Sequence, residues 1–346
     1  MKKRILHILS SNELAGAENV AINIINNTSD TYQCAYASPD GGIRKILSAS
    51  DIDYIPLDKF NVSQLKKVIS LWKPDIIHAH DFKATVKCLV ASMIIPVVSH
   101  IHQNPNWLKR VNPYSIMFFL ACYKIKQIVV VSADIKESTY LSTFFTSKTT
   151  VLRNIVDINR IKEKSYRAIE DNYDLAFIGR LDRIKNPLRF ISIVAKVKDV
   201  IPNLRVVMLG EGPQEKECKE YIVKNGLELV VDLKGFLANP YPQLARSKIL
   251  VMTSLSEGLP VVAIEALALE KPIIVPQLGG MQYIVNTSCG YICTSEEEFV
   301  SRIIYLLKSE QTYMEMSIAA AKRAVELCDL TLYRKNLEQV YQSVFN

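Results

Sequence analysis

Residues 254–280 read SLSEGLPVVAIEALALEKPIIVPQLGG. Two carboxylates, Glu257 and Glu265, stand eight positions apart in this stretch. A Gly258-Leu259-Pro260 corner follows the first, and an Ala/Leu-rich helix carries the second. Pro260 suits the first helical position, where its missing N–H costs nothing. The N–H groups of the next turn then point out of the helix end, which carries about +0.5 of a charge and favours a phosphate. The run PIIVP (272–276) that follows is short and continuously apolar, as a strand buried on both faces must be. Strand, corner, helix and strand in this order are the repeating unit of a doubly wound parallel sheet.

Two glutamates at this spacing, taken alone, describe an exposed loop carboxylate and a helical carboxylate paired with a lysine. The surroundings of Glu265 argue for more. It lies in VVAIEALAL with apolar neighbours on every side, and a carboxylate so placed needs a partner or a ligand. A ligand with its phosphate at the helix start can offer hydroxyl groups to both carboxylates. A nucleotide-sugar, with ribose, diphosphate and sugar in line, has that layout.

The same alternation extends in both directions. Upstream, strands are expected at 4–9, 34–37, 75–80, 97–102, 127–132 and 149–152, with helices between them at 18–27, 62–71 and 83–93. A polar, weakly periodic segment at 160–173 reads as a linker. Further strands are expected at 175–179, 205–210, 230–235, 248–253 and 272–276. Two domains follow: 1–165 together with a returning C-terminal helix in 330–346, and 166–329. The expected class is α/β, two doubly wound Rossmann-like domains facing a central cleft, with ligands beyond the carboxyl ends of the strands.

Composition sets bounds. The 346 residues are 49% apolar and 22% charged, typical of a soluble globular protein. No apolar run reaches the ~18 residues of a membrane span. The start MKKRILHILSS reads as a first buried strand rather than a leader. Seven scattered cysteines suit free thiols in a reducing cytoplasm. Residues 1–165 hold 21 Lys+Arg against 13 Asp+Glu, a net of +8, whereas 166–346 hold 21 against 22. All five histidines also precede residue 103. A basic first half suits an anionic surface or acceptor. No basic stripe interleaved with aromatics points to nucleic acid. Lys109, Arg110, Lys124 and Lys126 bracket the apolar stretch 114–123, a candidate membrane-facing edge that a buried helix would also explain.

Further signals fall at strand ends. Gly16 and Ala17 form a small-residue turn at a helix start. Arg180 and Lys185 lie five apart in GRLDRIKNP, just after a strand, where two cations can neutralise a diphosphate. His78/His80 and His100/His102 form two His-x-His pairs, each sharing one face of a strand. The one Asp-x-Asp pair, Asp51 and Asp53, stands well apart from them in the sequence, and no metal is expected. His102 is expected at the cleft, and the other histidines are expected to be partly structural.

The ordered set AGAEN, HAH, PVVSHIH, VVVSADIKE, VLRNIVD, FIGRLDRIKNP, VVMLGEGP, LKGF, TSLSEGLPVVAIEALA, PIIVPQLGG and GYI resembles glycosyltransferase family 4 (group 1), most closely over 175–292. The resemblance implies a retaining, metal-independent enzyme of the GT-B fold with no cofactor. Glu257 resembles the first Glu of the family's Glu-x7-Glu motif, which faces the donor sugar, and Glu265 the second, which binds the ribose. Arg180 and Lys185 resemble the pair that holds the diphosphate. Gly258, Leu259, Pro260 and Val261 resemble the turn whose amides reach the distal phosphate. Gly16 matches the second Gly of an N-terminal Gly-Gly loop, His102 a histidine near donor sugar and acceptor, and Asn154 with Asp157 the Asn-Gly-Val-Asp segment near the hinge. Ala15, Asn19, Ile155 and Gln282 depart from the pattern. The implied partners are a nucleotide-sugar donor, UDP rather than GDP, and a saccharide or polyprenyl-diphosphate-linked saccharide acceptor. The implied setting is bacterial surface polysaccharide synthesis, in the cytoplasm at the inner face of the membrane. The alternatives are a GT-B nucleotide-sugar epimerase or phosphorylase, or an inactive partner subunit.

Overall fold

The described residues form thirteen short strands, and the central ones are buried along most of their length, so these sheets have no solvent face to show. The chain therefore builds parallel sheets covered on both sides. A computed structural model describes residues 2–103, 110–137, 146–166 and 171–345. Its contacts divide the chain into two compact units, 1–155 with 330–346, and 156–329.

The first unit holds a seven-stranded sheet. Its strands are β1 (Arg4–Ile8), β2 (Gln33–Pro39), β3 (Asp53–Leu57), β4 (Ile76–Ala79), β5 (Val97–Ile101), β6 (Gln127–Val130) and β7 (Thr149–Val151). The order is β3-β2-β1-β4-β5-β6-β7, and every pairing is parallel. The second unit holds β8 (Tyr173–Ile178), β9 (Val206–Leu209), β10 (Val231–Leu233), β11 (Ser247–Val251), β12 (Ile273–Pro276) and β13 (Gly290–Cys293). Their order is β10-β9-β8-β11-β12-β13. Leu250 on β11 lies beside Ala176 of β8 on one side and Ile273 of β12 on the other. Each sheet thus reverses its winding once, between β1 and β4 and between β8 and β11. Strand ends at such a reversal splay apart and open a binding crevice.

The second core packs Phe177, Phe190, Ile193, Met208, Ile249 and Phe299 between the sheet and its helices. In the first, Leu9, Ile22, Tyr36 and Leu47 form a comparable cluster. The C-terminal helix Leu330–Gln342 belongs to the first unit. There Tyr341 is buried and shares a 2.8 Å hydrogen bond with His78 Nδ1.

Some elements differ from the sequence expectation. The segment expected to be a linker contains a helix, Ile158–Ser165. Asp157 caps it by accepting the Arg160 N–H at 3.0 Å. The helix packs on helices Tyr241–Ala245 and Val261–Ala268, so the boundary falls ten residues before the expected 165/166. β3 and β13 are additional strands at sheet edges. All seven cysteines are free. Helix Pro113–Cys122 buries Ser115 and Phe118 and exposes Tyr114, Ile116, Met117 and Leu120. It is thus not a buried helix. Lys109 lies outside the described residues.

Candidate functional site

β8 and β11 end side by side at the winding reversal of the second sheet, and the loops that leave them carry the predicted charges. From β8 the chain passes through Gly179 to Arg180 and Asp182. Asp182 is buried, and its Oδ1 accepts the N–H groups of Ile184 and Lys185, each at 2.9 Å. Its Oδ2 accepts Arg180 Nε at 2.8 Å. One carboxylate therefore shapes the loop and steadies a guanidinium whose side chain remains 61% exposed. Gly210 lets β9 approach this loop. It has φ of +135°, and a Cβ there would lie 2.0 Å from the Gly179 carbonyl oxygen.

From β11 the chain runs through Thr253 and Ser254 to Glu257. Thr253 Oγ1 donates to the Asn186 carbonyl at 2.9 Å, and Leu255 N–H donates to Ile184 O at 2.7 Å. These bonds tie the two loops together. Lys185 Nζ donates to Glu257 Oε1 at 2.6 Å, and Ser254 Oγ donates to the same oxygen at 2.6 Å. The Glu257 side chain is only 7% exposed. The glutamate that pairs with a lysine is therefore Glu257.

The corner Gly258-Leu259-Pro260 is buried. It is closed from above by Gly280, where a Cβ would sit 2.0 Å from the Gly258 oxygen. The helix begins at Val261, one residue later than expected, and Pro260 is its N-cap with ψ of 120°. Proline's fixed φ suits this cap equally well. No side chain caps this helix end, which leaves its first amides for a ligand. Glu265 is buried one turn further in and accepts Tyr241 Oη–H at 2.9 Å. Burial pushes its carboxyl up to about 7. Tyr241 escaped the sequence reading, because no pattern links it to a residue 24 positions away. Asp182 and Ser254 escaped it too, although both lie inside the quoted motifs.

In the first unit, Gly16 opens helix Gly16–Thr28 and is exposed. A Cβ at Gly16 would meet nothing within 4 Å. Glu18 Oε2 accepts the Ala15 N–H at 3.1 Å, and burial raises this carboxyl to about 7. The histidines form one array. His7 from β1, His78 and His80 at the end of β4, and His100 and His102 at the end of β5 stack with ring centroids 4.1–5.4 Å apart. His7 Nδ1 lies 2.9 Å from His80 Nε2, and His80 Nδ1 lies 3.1 Å from His102 Nε2. His78 Nε2 lies 3.2 Å from His100 Nδ1. Burial lowers every one of these rings, His7 and His102 to about 3. The sequence showed two pairs. The order β1-β4-β5 joins them and adds His7.

Two family profiles cover most of the chain. Glycosyltransferase Family 4 matches residues 19–160, and Glycosyl transferases group 1 matches 159–323. The chain belongs to the group 1, family 4 glycosyltransferases. An uncharacterized glycosyltransferase of Methanocaldococcus jannaschii is 30% identical over 234 residues, 61% of this chain and 57% of its own length. A Campylobacter jejuni N-acetylgalactosamine-N,N'-diacetylbacillosaminyl-diphospho-undecaprenol 4-alpha-N-acetylgalactosaminyltransferase is 34% identical over 152 residues, 43% of this chain and 36% of its own length. The chain thus spans from about a third to about half of the length of these two curated relatives. Over its full extent the structure is similar to Anabaena HepE in complex with UDP and glucose. The TM-score is 0.86 at 21% identity, over 99% of this chain and 100% of that one. That likeness shows the GT-B fold.

Proposed function

We propose that this group 1 glycosyltransferase moves a hexose or N-acetylhexosamine from UDP to a hydroxyl group, with retention at the anomeric carbon. The observation that carries the reading is the group at the ends of β8 and β11, where Arg180, Lys185, Glu257 and an uncapped helix start share one winding reversal. The UDP and glucose of Anabaena HepE support the choice of nucleotide.

Breaking the sugar–phosphate bond builds negative charge on the distal phosphate. Arg180, Lys185 and the N–H groups of Val261 and Val262 at the uncapped helix start meet that charge without a metal ion. Glu257 orients the sugar and offsets its developing positive charge. Its Oε1 already accepts Lys185 and Ser254, which suits an electrostatic role better than a covalent one. The departing phosphate oxygen takes the acceptor proton on the same face, which gives retention. Glu265, next to Tyr241, holds the ribose hydroxyls.

The acceptor is a saccharide carried on a lipid diphosphate, as the undecaprenol-linked substrate in the name of the Campylobacter relative suggests. No helix among the described residues is long and apolar enough to cross a membrane. Helix Pro113–Cys122 nevertheless presents Tyr114, Ile116, Met117 and Leu120, with Val111 and Tyr123 beside them, to solvent. Exposed Arg110, Lys124 and Lys126 flank it. Apolar residues rimmed by cations suit the surface of an anionic bilayer, which supports a working position at the cytoplasmic face of the membrane.

Titration calorimetry with UDP tests the donor half of this reading. Wild type should bind UDP, and Glu265→Gln should bind it roughly tenfold more weakly, the scale of a hydrogen bond to a charged group. Equal affinity in the two proteins would make Glu265 a structural residue.

A further inference from the structure

The hydrogen bonds of the histidine array do not close. A neutral imidazole has one N–H and one lone pair, so a head-to-tail run of such rings leaves one atom over at each end. The run His7–His80–His102 ends at His7 Nε2 and His102 Nδ1, and the run Tyr341–His78–His100 ends at His100 Nε2. All three end atoms are buried and have no hydrogen-bond partner among the described residues. Two of them belong to neighbouring rings, His100 and His102, whose centroids are 4.1 Å apart.

We propose that His80, His100 and His102 form a binding site for a divalent cation of the zinc class, with an open fourth position. Each of the three offers a ring nitrogen, and these atoms all lie within 4.8 Å of one another. An all-imidazole donor set suits Zn²⁺, Co²⁺, Ni²⁺ or Cu²⁺ and not Mg²⁺ or Ca²⁺. The 3.1 Å separation of His80 Nδ1 and His102 Nε2 is close to that of two ligands at ~2.0–2.1 Å on one tetrahedral zinc.

The rings behind the site fix its tautomers. If His80 Nε2–H donates to His7 Nδ1, the His80 Nδ1 lone pair is left for the ion. If His100 Nδ1–H donates to His78 Nε2, and His78 Nδ1–H to Tyr341 Oη, the unpartnered His100 Nε2 becomes a ligand. Metal-bound histidines are oriented by such outer acceptors. His102 is only partly buried, at the open end of β5, and gives the ion a way in. The ion would pin the ends of β4 and β5 together. It takes no step in the proposed transfer, and its binding is measured without donor or acceptor, so the two readings fail separately.

The test uses the whole chain without a histidine tag, stripped with a chelator and titrated with Co²⁺ and then Zn²⁺. The expected result is one ion per chain, visible Co²⁺ absorption displaced by Zn²⁺, and a rise in Tm. Affinity should fall roughly tenfold or more in His102→Gln, since even outer-shell partners are worth that much. Ring ¹⁵N spectra of the wild type serve where a variant folds poorly, and Zn²⁺ should shift His80, His100 and His102. Absence of binding, undiminished affinity in a folded His102→Gln, or ring shifts confined to other histidines would overturn the site.

Discussion

Lys185 and Glu257 form a pair in which the carboxylate is nearly buried, so deleting either partner leaves a charge stranded and confounds chemistry with stability. Arg180 is the cleaner probe. Its side chain is 61% exposed, and Asp182 keeps its bonds to the Ile184 and Lys185 amides without it. Arg180→Ala should therefore change stability by no more than about 0.5 kcal/mol. It should lower kcat roughly 100-fold or more, the effect of removing one preorganised donor to a transition-state charge. Near wild-type turnover in steady-state assays would remove Arg180 from the diphosphate role. At this scale the sequence was legible wherever a residue type conflicted with its surroundings. Glu265 among apolar residues announced a partner, and Arg180 and Lys185 after a strand announced an anion. Tyr241 could not be found that way, because a tyrosine near a helix start conflicts with nothing.

The helix Val261–Ala268 carries a pH dependence that belongs to the element. Burial raises Glu265 from the usual carboxylate range to about 7. Between about pH 4.5 and 7 the folded state holds a proton that the unfolded state has lost. Stability from this group is therefore fully present below about 4.5 and is lost as pH rises through 7, by an amount of order a few kcal/mol. Urea unfolding of the second unit, followed by hydrogen exchange at pH 5 and pH 7.5, should show that loss in wild type. Glu265→Gln cannot ionise and should flatten it. An unchanged slope would place the titration elsewhere. Element reading succeeded for central strands such as β8 and β11, whose continuous apolar runs match burial on both faces. It failed at the edges. β3 includes Asp53 and Pro56 and pairs with one neighbour only, which is where such residues are tolerated. The helix Ile158–Ser165 buries Ile161 alone, so its sequence shows little periodicity.

For the molecule as a whole, the net charge of +7 is concentrated in the first half, and an apolar helix face lies among those cations. Anionic vesicles should bind the protein at low salt. Binding should fade as the Debye length shrinks from ~30 Å at 0.01 M to ~8 Å at 0.15 M. Each basic residue near the surface contributes about 1 kcal/mol, so neutralising Lys109, Arg110, Lys124 and Lys126 together should abolish sedimentation with vesicles. If that variant pellets as well as wild type, the contact lies elsewhere. If wild type never binds, a soluble acceptor is the better substrate class. The two-sheet architecture was readable because strand and helix periods alternate along nearly the whole chain. The histidine array was not, because it depends on which strands become neighbours. The central claim is metal-independent transfer with retention, and proton NMR of the sugar product, formed from α-linked UDP-sugars with chelator present, tests it most directly. The account predicts release of UDP and a product whose anomeric proton keeps the α configuration. A β-linked product, or no UDP release until Mg²⁺ or Mn²⁺ is restored, would contradict it.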